Sequence, residues 1–300
     1  YLIQHVEIAD VTTVATEVSA KTNTADSQSV ATVVSVNSSS DTQSVDSATV
    51  YADDWNYQGN GISITITEVS TGSGSDKVTY FVADVVITDA TQLQSAFAND
   101  SFGLNIIDYT STIAAENNAI FAINGDYYGF RSDGIVIRNG IIYRDLPART
   151  GLAFYKDGTM KIYDETQTTA QQLIDEGVWN TLSFGPALVQ DSELVENLER
   201  VSIDNNIGNH SIQGDNPRTG VGIISANHFV FVVVDGRSEG YSRGVSLTEF
   251  AQIFADLGCT DAYNVDGGGS STMYFMGRVV NNPLGRNKER GTSDILFIGQ

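Results

Sequence analysis

The sequence predicts an α+β fold: a mixed sheet core with short flanking helices, preceded by an extended low-complexity N-terminal segment. Three observations lead there. Composition changes sharply near residue 58, period-two alternation begins at Ile62, and one helix with complete end signals lies at 247–257.

Residues 1–50 contain no Gly and no Pro, and Tyr1 is their only aromatic residue. Ser, Thr, Val, Asp and Ala dominate, and they offer too little bulk to offset the entropy of ordering a chain. Residues 1–58 are therefore expected to form a linker or stalk, although alternating Val and Ser/Thr also permits edge strands there. Residues 59–300 are expected to be the folded domain, with a lead-in over 59–119 and a motif-bearing core over 120–300.

Inside the domain, ISITITEV (62–69) and VTYFVADVVIT (78–88) flank the turn signal STGSGSD and read as a hairpin. Segments 90–100 and 110–119 read as short helices, and IFAIN (120–124) as a buried strand entering a polar turn. Hairpins are expected over 135–143 and 152–163, around RNG and KDG turns, with a helix over 168–177. Further strands are expected at 221–226, 229–234, 262–265, 272–280 and 293–298. The helix at 247–257 has Ser246 as N-cap and Glu249 three residues later, a capping box. Leu247, Phe250, Ala251, Phe254 and Leu257 form its apolar face, and Gly258 stops it.

The chain carries 37 acidic and 16 basic side chains, a formal charge of −21. Such a surface repels nucleic acid and anionic lipid at long range, so no nucleic-acid partner is expected. Cys259 is the single cysteine. It excludes an intramolecular disulfide, and with no neighbouring His in sequence it reads as a small buried apolar residue rather than a reactive thiol. His5, His210 and His228 are too few for a His-rich zinc site. The oxygen-rich segment 203–216 has donors suited to Ca²⁺, but it lacks EF-hand spacing and is expected to be a plain polar loop. No cofactor is expected to be required. The sequence begins at Tyr1 and has no apolar run long enough to span a membrane. A signal or membrane-anchor segment is expected upstream of it.

Four polar clusters stand at the ends of these strands, where loops commonly carry function. They are Asn124-Gly125-Asp126-Tyr127-Tyr128, Asn216-Pro217-Arg218-Thr219-Gly220, Asp235-Gly236-Arg237, and the run from Asn264 to Met273. In the last, Gly267, Gly268 and Gly269 precede Ser270, Ser271 and Thr272. Such a run can aim successive N–H groups at an anion, and a tight turn with local hydroxyl bonding accounts for it equally. Arg218 and Arg237 offer the planar fork that matches phosphate, or a surface ion pair. Asp126, Asp235 and Asp266 are the candidate acid, base or nucleophile; each also fits as a turn residue before or after Gly. Glu249 is explained by its capping role.

Taken in order, NGDYY (124–128), SFGPALV (183–189), NPRTGVG (216–222), VDGR (234–237), SLTEFA (246–251), NVDGGGSSTM (264–273) and ERGTSDILF (289–297) resemble the phosphodiester glycosidase family. That family includes N-acetylglucosamine-1-phosphodiester α-N-acetylglucosaminidase of the Golgi and exported bacterial relatives. The resemblance implies hydrolysis of a sugar-1-phosphodiester on a phosphorylated glycan, outside the cell or at its surface. It implies site roles for Asn124, Asp126, Arg218, Asp235, Arg237, Asp266, Gly267, Gly268, Gly269 and Ser270, without fixing which carboxylate reacts. Vertebrate relatives have cysteine-rich surroundings; the single Cys here follows the bacterial type, which points to a cell-wall, capsule or teichoic-type polymer. Two other functions fit the same residues: a phosphodiesterase that breaks the P–O bond, and a non-catalytic surface module that binds phosphoglycan.

Overall fold

The computed structural model describes residues 49–203 and 211–299. Along the chain, β1 (Tyr51–Ala52) and β2 (Asn56–Gly59) lead into a long hairpin of β3 (Ile62–Thr71) and β4 (Val78–Ile87). β5 (Leu93–Phe97), α1 (Thr110–Glu116) and β6 (Ala119–Asn124) follow. Two hairpins come next, β7 (Gly134–Arg138) with β8 (Ile141–Leu146), then β9 (Thr150–Tyr155) with β10 (Met160–Asp164). After α2 (Ala170–Asp175) come β11 (Val178–Leu182), β12 (Ala187–Gln190), β13 (Glu193–Leu194), β14 (Arg218–Ser225) and β15 (His228–Val234). The last elements are α3 (Leu247–Asp256), β16 (Asp261–Val265), β17 (Met273–Phe275), β18 (Arg278–Val279) and β19 (Asp294–Gly299).

Two large sheets face each other. One has nine strands in the order β1-β2-β3-β4-β15-β14-β16-β12-β13; the other has five, β18-β17-β6-β19-β5. Period two explains how they pack. On β15, Phe229, Phe231 and Val233 point into the core between the sheets, where Phe121 and Ile123 of β6, Phe275 of β17 and Leu296 of β19 meet them. Val230, Val232 and Val234 point the other way, onto Leu247, Phe250, Ala251 and Phe254 of α3. The five-stranded sheet turns its outer face to Ile113 and Ala114 of α1. The outer face of the large sheet is covered by α3 at its centre and exposed on β3 and the far half of β4.

Two glycines set how close α3 lies. A Cβ on Gly220 would stand 2.8 Å from a Phe250 ring carbon, and one on Gly222 would stand 2.6 Å from the Cys259 sulfur and 2.8 Å from Phe254. Cys259 is buried in this apolar layer, and burial pushes its thiol up to about 12, in keeping with an unreactive packing role. The helix has the expected capping box: Ser246 Oγ accepts from Glu249 N at 3.2 Å, and Ser246 N donates back to Glu249 at 2.8 Å.

The α+β class and the short flanking helices are as expected. The strand pairs among the described residues are antiparallel throughout, more uniform than the mixed sheet expected. Segment 90–100, expected as a helix, is a capped helical turn at 90–92, strand β5, and a second short turn at 98–100. Pairing with β19 over Leu93–Phe97 outweighs the local helical pattern. Tyr51–Ala52 and Asn56–Gly59, on the stalk side of the boundary at 58, are strands of the large sheet. Residues 1–48 of that segment, with His5, lie outside the described residues, as does His210.

Beneath the five-stranded sheet's exit lies a buried ion network. Arg138, at the end of β7, approaches Asp126 at 3.2 Å and Asp294 at 2.8 Å, and all three side chains are at most 1% exposed. Two carboxylates share one guanidinium. Asp126 also accepts from Tyr128 N at 3.0 Å and Ser183 N at 2.8 Å. Asp294 takes its donors on Oδ2, and its Oδ1 is without a hydrogen-bond partner. Burial therefore raises the Asp294 carboxyl, to about 7, against the pull of Arg138.

A carboxyl raised on folding favours the native state at pH values below the usual carboxylate range, and that advantage is lost as pH rises toward about 7. Asp294→Asn keeps the shape and removes the titration. The wild type should lose stability relative to Asp294→Asn between pH 4 and 7, on the order of a few kcal/mol. Thermal melts across that range check it; parallel curves for the two proteins would show that Asp294 titrates normally.

Packing gives a second prediction. Gly222→Ala should cost about 1–3 kcal/mol, because the added methyl meets sulfur, ring and the Asp261 carbonyl together. Denaturant unfolding measures it, and an unchanged midpoint would mean that α3 moves away freely.

Candidate functional site

The centre of the large sheet brings three clusters to one end. β14 pairs antiparallel with β15 on one side and β16 on the other, so β15 and β16 run parallel with β14 between them. In register, Arg218 faces Val234 and Thr219 faces Val265. Asn216–Arg218 enters where Asp235–Arg237 and Asp266–Ser270 leave. Gly267 makes the close approach practicable, since a Cβ there would stand 2.8 Å from the Pro217 carbonyl oxygen.

Asn124 fastens the second sheet to this end. Its Nδ2 donates to the Asp266 carbonyl at 2.7 Å, and its Oδ1 accepts from Thr219 Oγ1 at 2.8 Å and Thr272 N at 3.2 Å. The side chain is fully buried. Its polar atoms are spent on the scaffold, so it shapes the site through the Asp266 peptide. Gly125 follows because a Cβ would stand 2.1 Å from Asp294 Oδ1.

The three candidate aspartates have different surroundings. Asp126 lies in the Arg138 network. Asp235 is buried, with Oδ1 accepting from Asn281 Nδ2 at 2.7 Å, and Oδ2 from Asn282 N and the Tyr241 hydroxyl, both at 2.8 Å. Burial raises its carboxyl, and these hydrogen bonds pull it partly back. Asp266 is different. Its carboxylate has a loose contact at 3.4 Å with Arg290, whose side chain is half exposed. Of the three, Asp266 is the one without a closed set of short hydrogen bonds.

The arginines divide likewise. Arg218 is buried and donates to the carbonyls of Val245 (3.1 Å), Ile212 (2.7 Å) and Gly214 (2.9 Å). Burial, then neighbouring Arg237, brings its guanidinium down to about 10. It braces the loop before β14. Arg237 is exposed, has a left-handed φ of 57°, and donates to Asn216 Oδ1 at 2.7 Å. Its guanidinium nitrogens stand 3.4 Å from where a Gly268 Cβ would be. Burial and the nearby Arg290 lower its pKa. Arg290, outside the residues assigned from sequence, donates to Ser270 Oγ at 2.8 Å and the Gly267 carbonyl at 3.2 Å. Its only sequence signal is its place in the 289–297 segment.

The glycine run forms a compact turn. Gly268 N donates to Pro217 O at 3.0 Å, Ser270 N to Gly267 O at 3.2 Å, and Ser271 N to Gly268 O at 3.3 Å. These three amides hold the loop. Gly268 has φ of 63°, which favours glycine. Among the described residues, the buried polar atoms without a partner include Asn264 Oδ1, Ser271 Oγ, Thr272 Oγ1, Ser293 Oγ and Asp294 Oδ1. All five belong to the motif segments 264–273 and 289–297. Such atoms are rare in folded chains, and each of them can take a hydrogen bond from water.

Among the described residues, no group of three or more His, Cys, Asp or Glu is arranged to hold a metal ion. Part of the oxygen-rich segment 203–216 lies outside them. No described helix is long and apolar enough to cross a membrane.

Comparison with known proteins agrees with this layout. The catalytic domain of zebrafish N-acetylglucosamine-1-phosphodiester α-N-acetylglucosaminidase, auto-inhibited by its pro-peptide, superposes with a TM-score of 0.63 at 20% identity, over 80% of this chain and 84% of that one. A hypothetical protein from Synechocystis gives 0.59 at 15% identity, over 79% of this chain and 62% of that one. These are likenesses of fold. The SPbeta prophage-derived uncharacterized protein YomE of Bacillus subtilis is 33% identical over 206 residues, which is 66% of this chain; the match spans 30% of YomE. The phosphodiester glycosidase family model matches residues 117–299, and the chain belongs to that family.

Proposed function

We propose that the chain hydrolyses the glycosidic C–O bond of a sugar-1-phosphodiester, of the N-acetylglucosamine-1-phosphodiester kind, in an extracellular or cell-wall glycan. One observation carries the reading: Asp266, the least enclosed of the three aspartates, stands at the glycine run beside the exposed Arg237 and Arg290.

The chemistry follows from those groups. Water attacks the anomeric carbon and gives its proton to Asp266. The C–O bond breaks and its electron pair leaves on the phosphate oxygen, so the products are the free sugar and a phosphomonoester. The new charge forms on an oxygen that bears it well, next to Arg237 and Arg290. Their bidentate forks suit phosphate better than an ammonium does. Asp126 and Asp235 hold loops in place and need no direct part. The formal charge of −21 suits an exported protein.

Asp266→Asn should fold normally and lose at least about 10²-fold in kcat on a sugar-1-phosphodiester, the low end for general acid–base catalysis. Hydrolysis in ¹⁸O water should place the label on the sugar. Label in the phosphate would establish P–O cleavage instead, and binding without turnover by the wild type would establish a binding module.

The arginines should separate in their effects. Arg237→Lys should lower kcat/KM by about tenfold or more at unchanged melting temperature, because it loses the fork and keeps the charge. Arg218→Lys should lower the melting temperature by several degrees, since three carbonyls lose their planar donor. Steady-state kinetics with thermal melts on both variants decide it; the reverse pattern would exchange the two roles.

A further inference from the structure

With 37 carboxylates to 16 Lys and Arg, cations in this chain have partners in excess. Many use them. Arg138 meets Asp126 and Asp294, Arg149 meets Asp133, and Arg243 meets Asp215 and Glu249. Lys156, Lys161 and Arg278 lie over aromatic rings. The loop between β18 and β19 departs from this. Arg286, Lys288 and Arg290 fall within five residues, and all three are exposed. Among the described residues, Arg286 and Lys288 pair with no carboxylate and lie over no ring.

This loop is a strap fastened to the site. Asn282 N donates to Asp235 Oδ2 at 2.8 Å, and Asn287 N to Asn282 Oδ1 at 2.7 Å. Ser238, just beyond Arg237, fills the place of a Gly285 side chain, 2.2 Å from its Cβ position. At the other end Arg290 N donates to Gly269 O at 3.2 Å, and Glu289 accepts from Ser111 N at 3.0 Å. Arg286 and Lys288 therefore stand on the rim between the Asp235 loop and the glycine run. Four backbone steps separate Arg286 from Arg290, a reach of at most about 14 Å. That is room for one or two linked sugar–phosphate units.

We propose that the strap forms a second anion subsite, so that the enzyme takes a chain with at least two successive phosphodiesters, one at Arg237 and Arg290 and the next at Arg286 and Lys288. This rests on the hydrolase reading above and names its substrate class as a polyanionic sugar–phosphate chain. A lone phosphodiester carries one charge, which the first pair of arginines already answers. A polyanion is repelled by a body of charge −21 everywhere except at such a patch, which then selects where and how it lands.

The test is the double variant Arg286→Gln/Lys288→Gln in the full chain. Two probes are compared: the methyl phosphodiester of N-acetylglucosamine 1-phosphate, and a synthetic trimer of N-acetylglucosamine joined through 1-phosphodiesters. The variant should raise KM for the trimer by about fivefold or more with kcat near wild type, and change kcat/KM on the single phosphodiester by less than about twofold. No change on the trimer, or equal loss on both probes, overturns the proposal. A second arm needs no turnover. Calorimetry should show wild type preferring inorganic tripolyphosphate to inorganic phosphate, and the variant losing that preference. If wild type cleaves neither probe, the hydrolase reading fails and calorimetry alone decides the strap. Equal tripolyphosphate binding by the two proteins then sinks it.

Discussion

Asn124 carries the connection on which the site depends. Its amide reaches from the end of β6, in one sheet, to Thr219 on β14, the Asp266 carbonyl after β16, and Thr272 N before β17. No water competes at this depth, so each lost bond would leave a buried donor or acceptor at a cost of about 1–3 kcal/mol. The amide is suited to this because it donates and accepts at once. A carboxylate would present two acceptors to the Asp266 carbonyl, and an aliphatic side chain would satisfy none of the three. The position of Asp266 is thus set by a residue in the opposite sheet, 142 positions earlier.

On that frame the chain gathers like charges. Burial first, and then a neighbouring cation, lowers the pKa of Arg218 (beside Arg237) and of Arg237 (beside Arg290). Cations held near one another repel, and folding tolerates this because Arg218 is braced by carbonyls and Arg290 by Ser270 and Gly267. An anion entering between Arg237 and Arg290 relieves the repulsion.

The sequence made regular elements legible where the period was long and the ends were marked. The β3–β4 hairpin shows period two over Ile62–Thr67 and then a long apolar run after a glycine-rich turn, and α3 carries both a capping box and a glycine stop. It failed where pairing decides. Segment 90–100 has helix-compatible composition and becomes β5 because β19 offers an edge. Strands β11 and β12 are only five and four residues long, too short for their apolar pattern to mark a strand. The candidate site was legible as a set of strand ends, since Asp-Gly and Asn-Gly junctions stand out after apolar runs. Its internal division was not. What makes Asp126 a structural ion is Arg138 and Asp294, and what encloses Asp235 is Tyr241, Asn281 and Asn282; these meet only in the fold. Arg290 was hidden for the same reason: its role comes from lying across the glycine run.

The unequal aspartates fit the proposed leaving group. An ordinary glycoside expels an alkoxide, so two carboxyl groups must cooperate, one to protonate the departing oxygen and one to act on the sugar. A phosphate oxygen carries its charge without a proton, so the demand for an acid falls. A site built for it can leave one carboxylate less tightly bonded by protein donors and use its other aspartates for structure. That is the pattern here: Asp126 and Asp235 have both oxygens engaged by protein donors, while the Asp266 carboxylate, among the described residues, meets the half-exposed Arg290 at 3.4 Å. In the proposed reaction, Arg237 and Arg290 take the acid's place on the leaving-group side. They supply charge rather than a proton, and they match phosphate in shape.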